Sequence, residues 1–202
     1  MALKVSKIRD PVEVNDQTLI AACLEGRTDA FGILVRKYQD RLFRTMIALV
    51  GSREDAQDVV QDTFVRAFQN LGSYRAGAAF YTWLYRIAVN AAFSRSRRRR
   101  PKLSVDHRRE QTGSDPADVR EGSNPQENLE RRERVRQVHD ALARLSEEHR
   151  TVLVLKELEG YRYEEIAAIL KCPVGTVRSR LHRARAELRE MLSSMLDGEP
   201  VG

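Results

Sequence analysis

From Arg178 to Arg185 the chain places six polar side chains suited to reading a nucleic acid: Arg178, Ser179, Arg180, His182, Arg183 and Arg185. Arginine makes bidentate hydrogen bonds to guanine edges, and serine and histidine bond bases or phosphates. A second group lies at Phe80, Tyr81, Trp83 and Tyr85, with Arg86, Asn90 and Arg97 following at helical steps. Aromatic faces stack unpaired bases at about 1–3 kcal/mol each, while arginine holds the backbone. Aromatics at helical spacing also build cores, and Trp83 fits a half-buried packing role equally well. The third group is acidic: Asp55, Asp58 and Asp62 recur along one helix face. Three carboxylates so spaced suit a metal in principle, but no second cluster and no nucleophile accompanies them, so catalysis is not expected. Cys23, Cys172, His107, His139, His149 and His182 show no zinc-ligand spacing, so neither metal nor cofactor is expected.

The elements that must carry these groups are helical throughout. Phe31, Leu34, Val35, Tyr38, Leu42, Met46 and Leu49 recur at three- and four-residue steps and predict one amphipathic helix. Ser52 predicts the cap of the next, with Asp55 as an approximate capping-box partner and Val60, Phe64, Phe68 and Leu71 as its buried side. A loop at 72–77 then leads into a helix from about Phe80 to the arginine run. Further on, Val135, Val138, Leu142 and Leu145 predict one stripe, and Val152, Leu155 and Leu158 another, ended by Gly160. The segment from Tyr163 to Leu170, a turn at Lys171 and Cys172, and a helix from about Pro173 follow the helix-turn-helix pattern. Ile166, Leu170, Cys172 and Val177 lock the pair, and small Ala167 sits at the crossing. Lys171 departs from the glycine that many such turns carry. An ordinary α-hairpin with a basic solvent face is the alternative.

Charge and composition set the organisation. The chain has 202 residues and a net charge of +6, with 42% hydrophobic and 6% aromatic residues, enough for modest aliphatic cores. Residues 1–102 carry 18 basic and 10 acidic groups; residues 103–128 carry 3 and 6; residues 129–196 carry 14 and 11. Two basic blocks thus flank an acidic stretch with Gly, Pro and Ser but almost no large apolar side chain, which predicts a linker. The expected architecture is all-α: two small helical domains joined by a flexible linker, the C-terminal one with a helix-turn-helix. The expected boundaries are a tail at 1–15, domains at 16–103 and 129–196, the linker at 104–128 and a tail at 197–202. No apolar run predicts a membrane span, and the first ten residues lack the apolar stretch of a secretory signal, so a cytoplasmic protein is expected. A polyanion is the expected class of partner.

Taken together, these segments resemble a bacterial extracytoplasmic-function (ECF) sigma factor of the sigma-70 superfamily. Asp55-Ala-Gln-Asp-Val-Val-Gln-Asp-Thr-Phe64 resembles region 2.2 of that family, and Phe80-Tyr-Thr-Trp-Leu-Tyr-Arg-Ile-Ala-Val-Asn90 resembles regions 2.3–2.4. Tyr163–Leu170 and Cys172–Arg185 resemble region 4.2. The resemblance implies an alternative sigma factor, not an enzyme, that binds core RNA polymerase, recognises −35 and −10 promoter elements and promotes melting. Asp55, Asp58, Gln61 and Asp62 would meet the β′ clamp helices, and the β flap would hold the second domain. Tyr74, Arg75, Phe80, Tyr81, Trp83, Arg86, Asn90 and Arg97 would bind and open the −10 element. Thr176, Arg178, Ser179, Arg180, His182, Arg183 and Arg185 would read the −35 element in the major groove. The partners implied are core polymerase, promoter DNA as duplex and as melted strand, and an anti-sigma factor. The loop Arg75-Ala-Gly-Ala-Ala79 differs from the charged or polar version common in the family. Elements ~25 base pairs apart are separated by about 85 Å. A linker of about 25 residues reaches roughly 80 Å when extended, so two domains of roughly 25–30 Å each can span that distance. The competing expectation is a two-domain helix-turn-helix regulator that binds duplex DNA without polymerase.

Overall fold

The computed structural model describes residues 15–75, 77, 79–99 and 125–196. Four helices form the N-terminal block: α1 (Asp16–Leu24), α2 (Asp29–Val50), α3 (Arg53–Gln69) and α4 (Phe80–Arg99), with a 3-10 turn at Leu71–Ser73. Four more form the C-terminal block: α5 (Pro125–Arg144), α6 (Glu147–Leu153), α7 (Tyr163–Leu170) and α8 (Val174–Leu196). Among the described residues there is no strand, and no helix is long and apolar enough to cross a membrane. The expected linker and tails fall outside the described residues, apart from Asn15 and from 125–128, where α5 already begins.

Local chemistry starts and stops these helices. The side chains of Asn15, Ser52 and Ser146 accept hydrogen bonds from the backbone N–H groups of Gln17, Asp55 and His149. Each satisfies a donor that has no partner within its helix. At the other ends, Gly51 (φ 74°) closes α2 and Gly160 (φ 72°) closes the α6 segment, both in the left-handed region that a Cβ disfavours.

The α2 stripe lies where its periodicity places it: Phe31, Leu34, Leu42, Met46 and Leu49 are buried. Complete burial of Leu34, Leu42 and Met46 stabilises the block by about 1.5–3 kcal/mol each. The α3 helix is phased differently from expectation. Its inner side is Ala56, Val59, Thr63, Phe64 and Ala67, while Phe68 is 44% exposed and Val60 half-buried. Small side chains at 56, 63 and 67 let α3 approach its neighbours closely around buried Val59 and Phe64. Val135 and Val138 are likewise exposed, whereas Ala141 and Leu142 near the C-terminal end of α5, and Leu145 just beyond it, are buried. Leu158 is turned outward by a π-helical turn at Val154–Leu158, which inserts an extra residue into the helical phase.

The two blocks pack against one another. Tyr85 of α4 meets Tyr161 edge-to-face with ring centroids 5.9 Å apart, and the buried apolar residues of both blocks form a continuous cluster.

Candidate nucleic-acid interface and carboxylate face

In the helix-turn-helix, Ile166 and Ala167 of α7 pack against Val177, Leu181 and Ala184 of α8, all buried. The turn depends on Lys171, whose φ of 52° is the left-handed value that the expected glycine would adopt freely. Its neighbour Cys172 donates its backbone N–H to the Ala167 carbonyl at 3.1 Å. Pro173 lies just ahead of α8 rather than inside its first turn, and its carbonyl accepts the N–H of Thr176 at 2.9 Å.

With 177, 181 and 184 inward, the opposite side of α8 presents Ser179, His182 and Arg183, all exposed. Arg178, Arg180 and Arg185 sit on its flanks, beside the protein's own groups. Arg180, expected on the outward face, instead pairs with Glu148 of α6 at 2.7 Å and is only 27% exposed. Arg185 is exposed and pairs with Glu157 at 2.6 Å, and the Arg178 guanidinium lies 6.0 Å from the Tyr163 ring centre. Thr176 is half-buried, and its carbonyl accepts the Ser179 hydroxyl at 3.0 Å. The carboxylates of Glu148 and Glu157 carried no recognisable signal in the sequence, being 32 and 28 residues from their partners.

On α4 the side chains divide. Phe80, Tyr81 and Trp83 are buried at 1%, 6% and 8% exposure, so in this conformation their main work is packing. Tyr74 is half-buried against Phe80 and Trp83, with centroids at 5.7 and 5.5 Å, and burial raises its pKa. Arg75, Arg86 and Asn90 face solvent. Arg97 continues the helix, but its side chain lies outside the described residues. A cleft of about 390 Å³ runs beside Arg75, Trp83 and Arg86, and its far wall is Ala168 and Ile169 of α7.

The acidic group divides too. Asp55 is 7% exposed and accepts Arg95 Nε at 2.8 Å, which removes it from any docking surface. Arg95 Nη2 also reaches Asp58 at 2.6 Å. Burial works against the charge on Arg95, but the two carboxylates outweigh it and leave its pKa raised. Asp58 remains 47% exposed at its side chain, and Gln61 and Asp62 are exposed. Val65 and Phe68, exposed at 50% and 44%, extend this face by one and two turns. The sequence reading missed them; a valine and a phenylalanine continuing the 58–61–62 side of the helix were the available signal.

Comparison with known proteins matches the same two blocks. Residues 34–102 match the family described as Sigma-70 region 2, and residues 135–188 match Sigma-70, region 4. The chain is 40% identical over 190 residues to the RNA polymerase sigma-H factor of Pseudomonas aeruginosa, covering 90% of this chain and 95% of that protein. It is 41% identical over 188 residues to the ECF RNA polymerase sigma-E factor of Escherichia coli strain K12, covering 91% and 97%. A solved structure of the sigma factor RpoE in complex with the anti-sigma factor NepR from Bartonella quintana superposes with a TM-score of 0.65 at 30% identity, covering 81% of this chain and 96% of that one. With both blocks matched, in order and over nearly the full length of those relatives, the chain belongs to the extracytoplasmic-function sigma factors of the sigma-70 family.

Proposed function

We propose that this alternative sigma factor binds core RNA polymerase, reads a −35 element with α8, engages the −10 element beside α4 and promotes promoter melting. The observation that carries the reading is the α7–turn–α8 unit, whose inner side is fully packed and whose outer side presents Ser179, His182 and Arg183. These three reach base edges in the major groove. Thr176, Arg178, Arg180 and Arg185 flank them and contact phosphates or further bases, Arg180 and Arg185 by exchanging their carboxylate partners for DNA.

On the −10 side, Arg75, Arg86 and Asn90 meet the opened strand. Tyr74, Phe80, Tyr81 and Trp83 form the aromatic bed beneath it, and Arg97 extends the basic track. Asp58, Gln61 and Asp62 dock on the β′ clamp helices together with Val65 and Phe68, while Asp55 acts through Arg95 to hold α3 on α4. Residues 16–103 and 129–196 act as the two working domains, the latter held by the β flap; residues 104–128 link them, and 1–15 and 197–202 are tails. Nucleotide addition stays with the polymerase, and this chain performs no catalysis and works in the cytoplasm. The similarity to a sigma factor solved with its anti-sigma factor supports an anti-sigma partner here. A helix-turn-helix regulator acting apart from polymerase is not favoured, because the sigma-factor similarity covers both blocks.

Run-off transcription with core polymerase tests this, on duplex and on pre-melted promoter templates. The chain is expected to confer promoter-specific transcripts. Arg86→Ala and Asn90→Ala are expected to be defective on the duplex and partly rescued by the bubble, whereas Arg183→Ala is defective on both. No stimulation over core polymerase alone rejects the proposal; equal rescue of all three variants rejects the division between duplex reader and strand opener.

A further inference from the structure

Glu159 is a buried carboxylate on the seam between the two blocks. It follows the π-turn, and its backbone N–H reaches back five residues to the Val154 carbonyl at 3.2 Å. Its side chain is 3% exposed and is met entirely by groups of the N-terminal block. Arg41 donates to it from Nη2 at 2.7 Å and from Nε at 2.9 Å, Thr45 donates its hydroxyl, and Tyr81 donates its hydroxyl at 3.2 Å. The Arg41 guanidinium in turn lies 4.2 Å above the Tyr81 ring. Arg41, Thr45 and Leu49 form one stripe of α2 at four-residue steps, and the Leu49 carbonyl accepts Arg150 Nη1 of the C-terminal block at 2.8 Å. The seam is therefore fastened by directional, charge-assisted bonds at sites 78 to 118 residues apart in sequence.

The same seam holds a counterweight. The Tyr85 hydroxyl is completely buried there and has no hydrogen-bond partner among the described residues. A buried donor without a partner penalises the closed arrangement and is relieved by water when the seam opens. Strong polar ties at one edge and an unsatisfied group in the middle describe an interface that closes firmly but opens when its ties are exchanged. Closure also has a steric consequence, since it is α7, through Ala168 and Ile169, that walls the cleft beside Arg75, Trp83 and Arg86.

We propose that Glu159 is a latch: by binding Arg41, Thr45 and Tyr81 it holds the C-terminal block over the strand-binding side of α4, so that the free chain is closed to unpaired DNA. The occlusion half of this inference rests on the −10 reading given above; the latch half rests on geometry alone. A two-state equilibrium of this kind lowers apparent affinity by the fraction of molecules that are open. Breaking the latch therefore raises single-strand affinity without adding any contact.

A charge swap in the full chain tests both halves. Small-angle scattering gives the overall dimension, and acrylamide quenching reads Trp83, the only tryptophan in the sequence. Arg41→Glu and Glu159→Arg are each expected to enlarge the radius of gyration and to raise the quenching constant at least about twofold, whereas the double swap returns both toward wild type. Identical values for all four proteins overturn the latch. The Arg41 side chain is 49% exposed, so Arg41→Glu decides the matter by itself should the Glu159 variants lose helicity by circular dichroism. Affinity for a fluorescein-labelled random-sequence single-stranded 12-mer, without polymerase, is expected to rise about tenfold in Arg41→Glu. That change runs against the loss of positive charge, which by itself weakens binding to a polyanion. Opening without tighter binding overturns occlusion. Failure of the wild-type chain in run-off transcription would instead reject the sigma-factor reading and leave the scattering result standing.

Discussion

Along α8, Val177, Leu181 and Ala184 carry the packing and leave Ser179, His182 and Arg183 to the solvent. Along α4, the aromatic residues that suit strand capture are themselves the packing: Phe80, Tyr81 and Trp83 are buried, and Arg86 and Asn90 are left outside. Under the proposed assignment, one helix separates its packing and DNA-reading residues onto different faces, and the other uses the same aromatic residues for both. Polar reading of a rigid duplex needs a firm helix with its donors outside. Stacking of an opened strand needs apolar faces, and here the fold covers them. The difference teaches that the outer face of α8 is open to substitution without unfolding, whereas changes at the buried aromatics of α4 alter stability and strand engagement together.

The sharpest way to break this comparison is Trp83→Ala against Arg183→Ala. Removing the buried indole is expected to cost about 3 kcal/mol of unfolding free energy, while Arg183→Ala stays within about 0.5 kcal/mol, both by urea denaturation followed by far-ultraviolet circular dichroism. Similar stability losses for the two would end the distinction. In duplex binding the order reverses, with Arg183→Ala losing about 1–3 kcal/mol for −35 DNA by fluorescence anisotropy.

The acidic face sharpens the comparison at the next size of effect. Arg95→Ala strips Asp55 of its guanidinium partner inside the fold and is expected to cost about 1–2 kcal/mol of stability. Asp62→Ala is expected to leave stability within about 0.5 kcal/mol and instead weaken co-purification with core polymerase. If Asp62→Ala unfolds the chain and Arg95→Ala does not, the division between inner and outer carboxylates is wrong.

The seam is expected to weaken in alkali. Burial pushes the Tyr161 hydroxyl up to about 12, and burial also raises Tyr81 and Tyr85. A raised folded-state value means that the neutral phenol is favoured in the fold, so its contribution is complete below about pH 10 and is lost as pH rises through the folded value. Stability is expected to be flat into the ninth pH unit and to fall between about pH 10 and 12. Tyr161→Phe should move the alkaline midpoint upward; an unchanged midpoint shows that other groups govern the transition.

The smallest effect is expected at the turn. Lys171→Gly relieves a left-handed backbone while adding unfolded-state freedom, for a net gain of about 0.5 kcal/mol. A loss of stability by thermal denaturation would show that the lysine side chain contributes more than its backbone costs.

Periodicity and local chemistry were legible in the sequence because they act over a few residues. The α2 stripe, the Ser52 cap, the end at Gly160 and the helix-turn-helix from Tyr163 onward all follow from neighbours three or four positions apart. So does the outward placement of Ser179, His182 and Arg183. What only the tertiary structure decided depends on partners distant in the chain. Arg95 pairs with Asp55 across 40 residues, Glu148 of α6 pairs with Arg180 on the flank of α8, and Glu159 finds Arg41 across 118 residues. Amphipathic spacing specifies that a helix has an inner side; which polar group lies opposite it is set by how the helices cross, and that geometry is not encoded in local spacing.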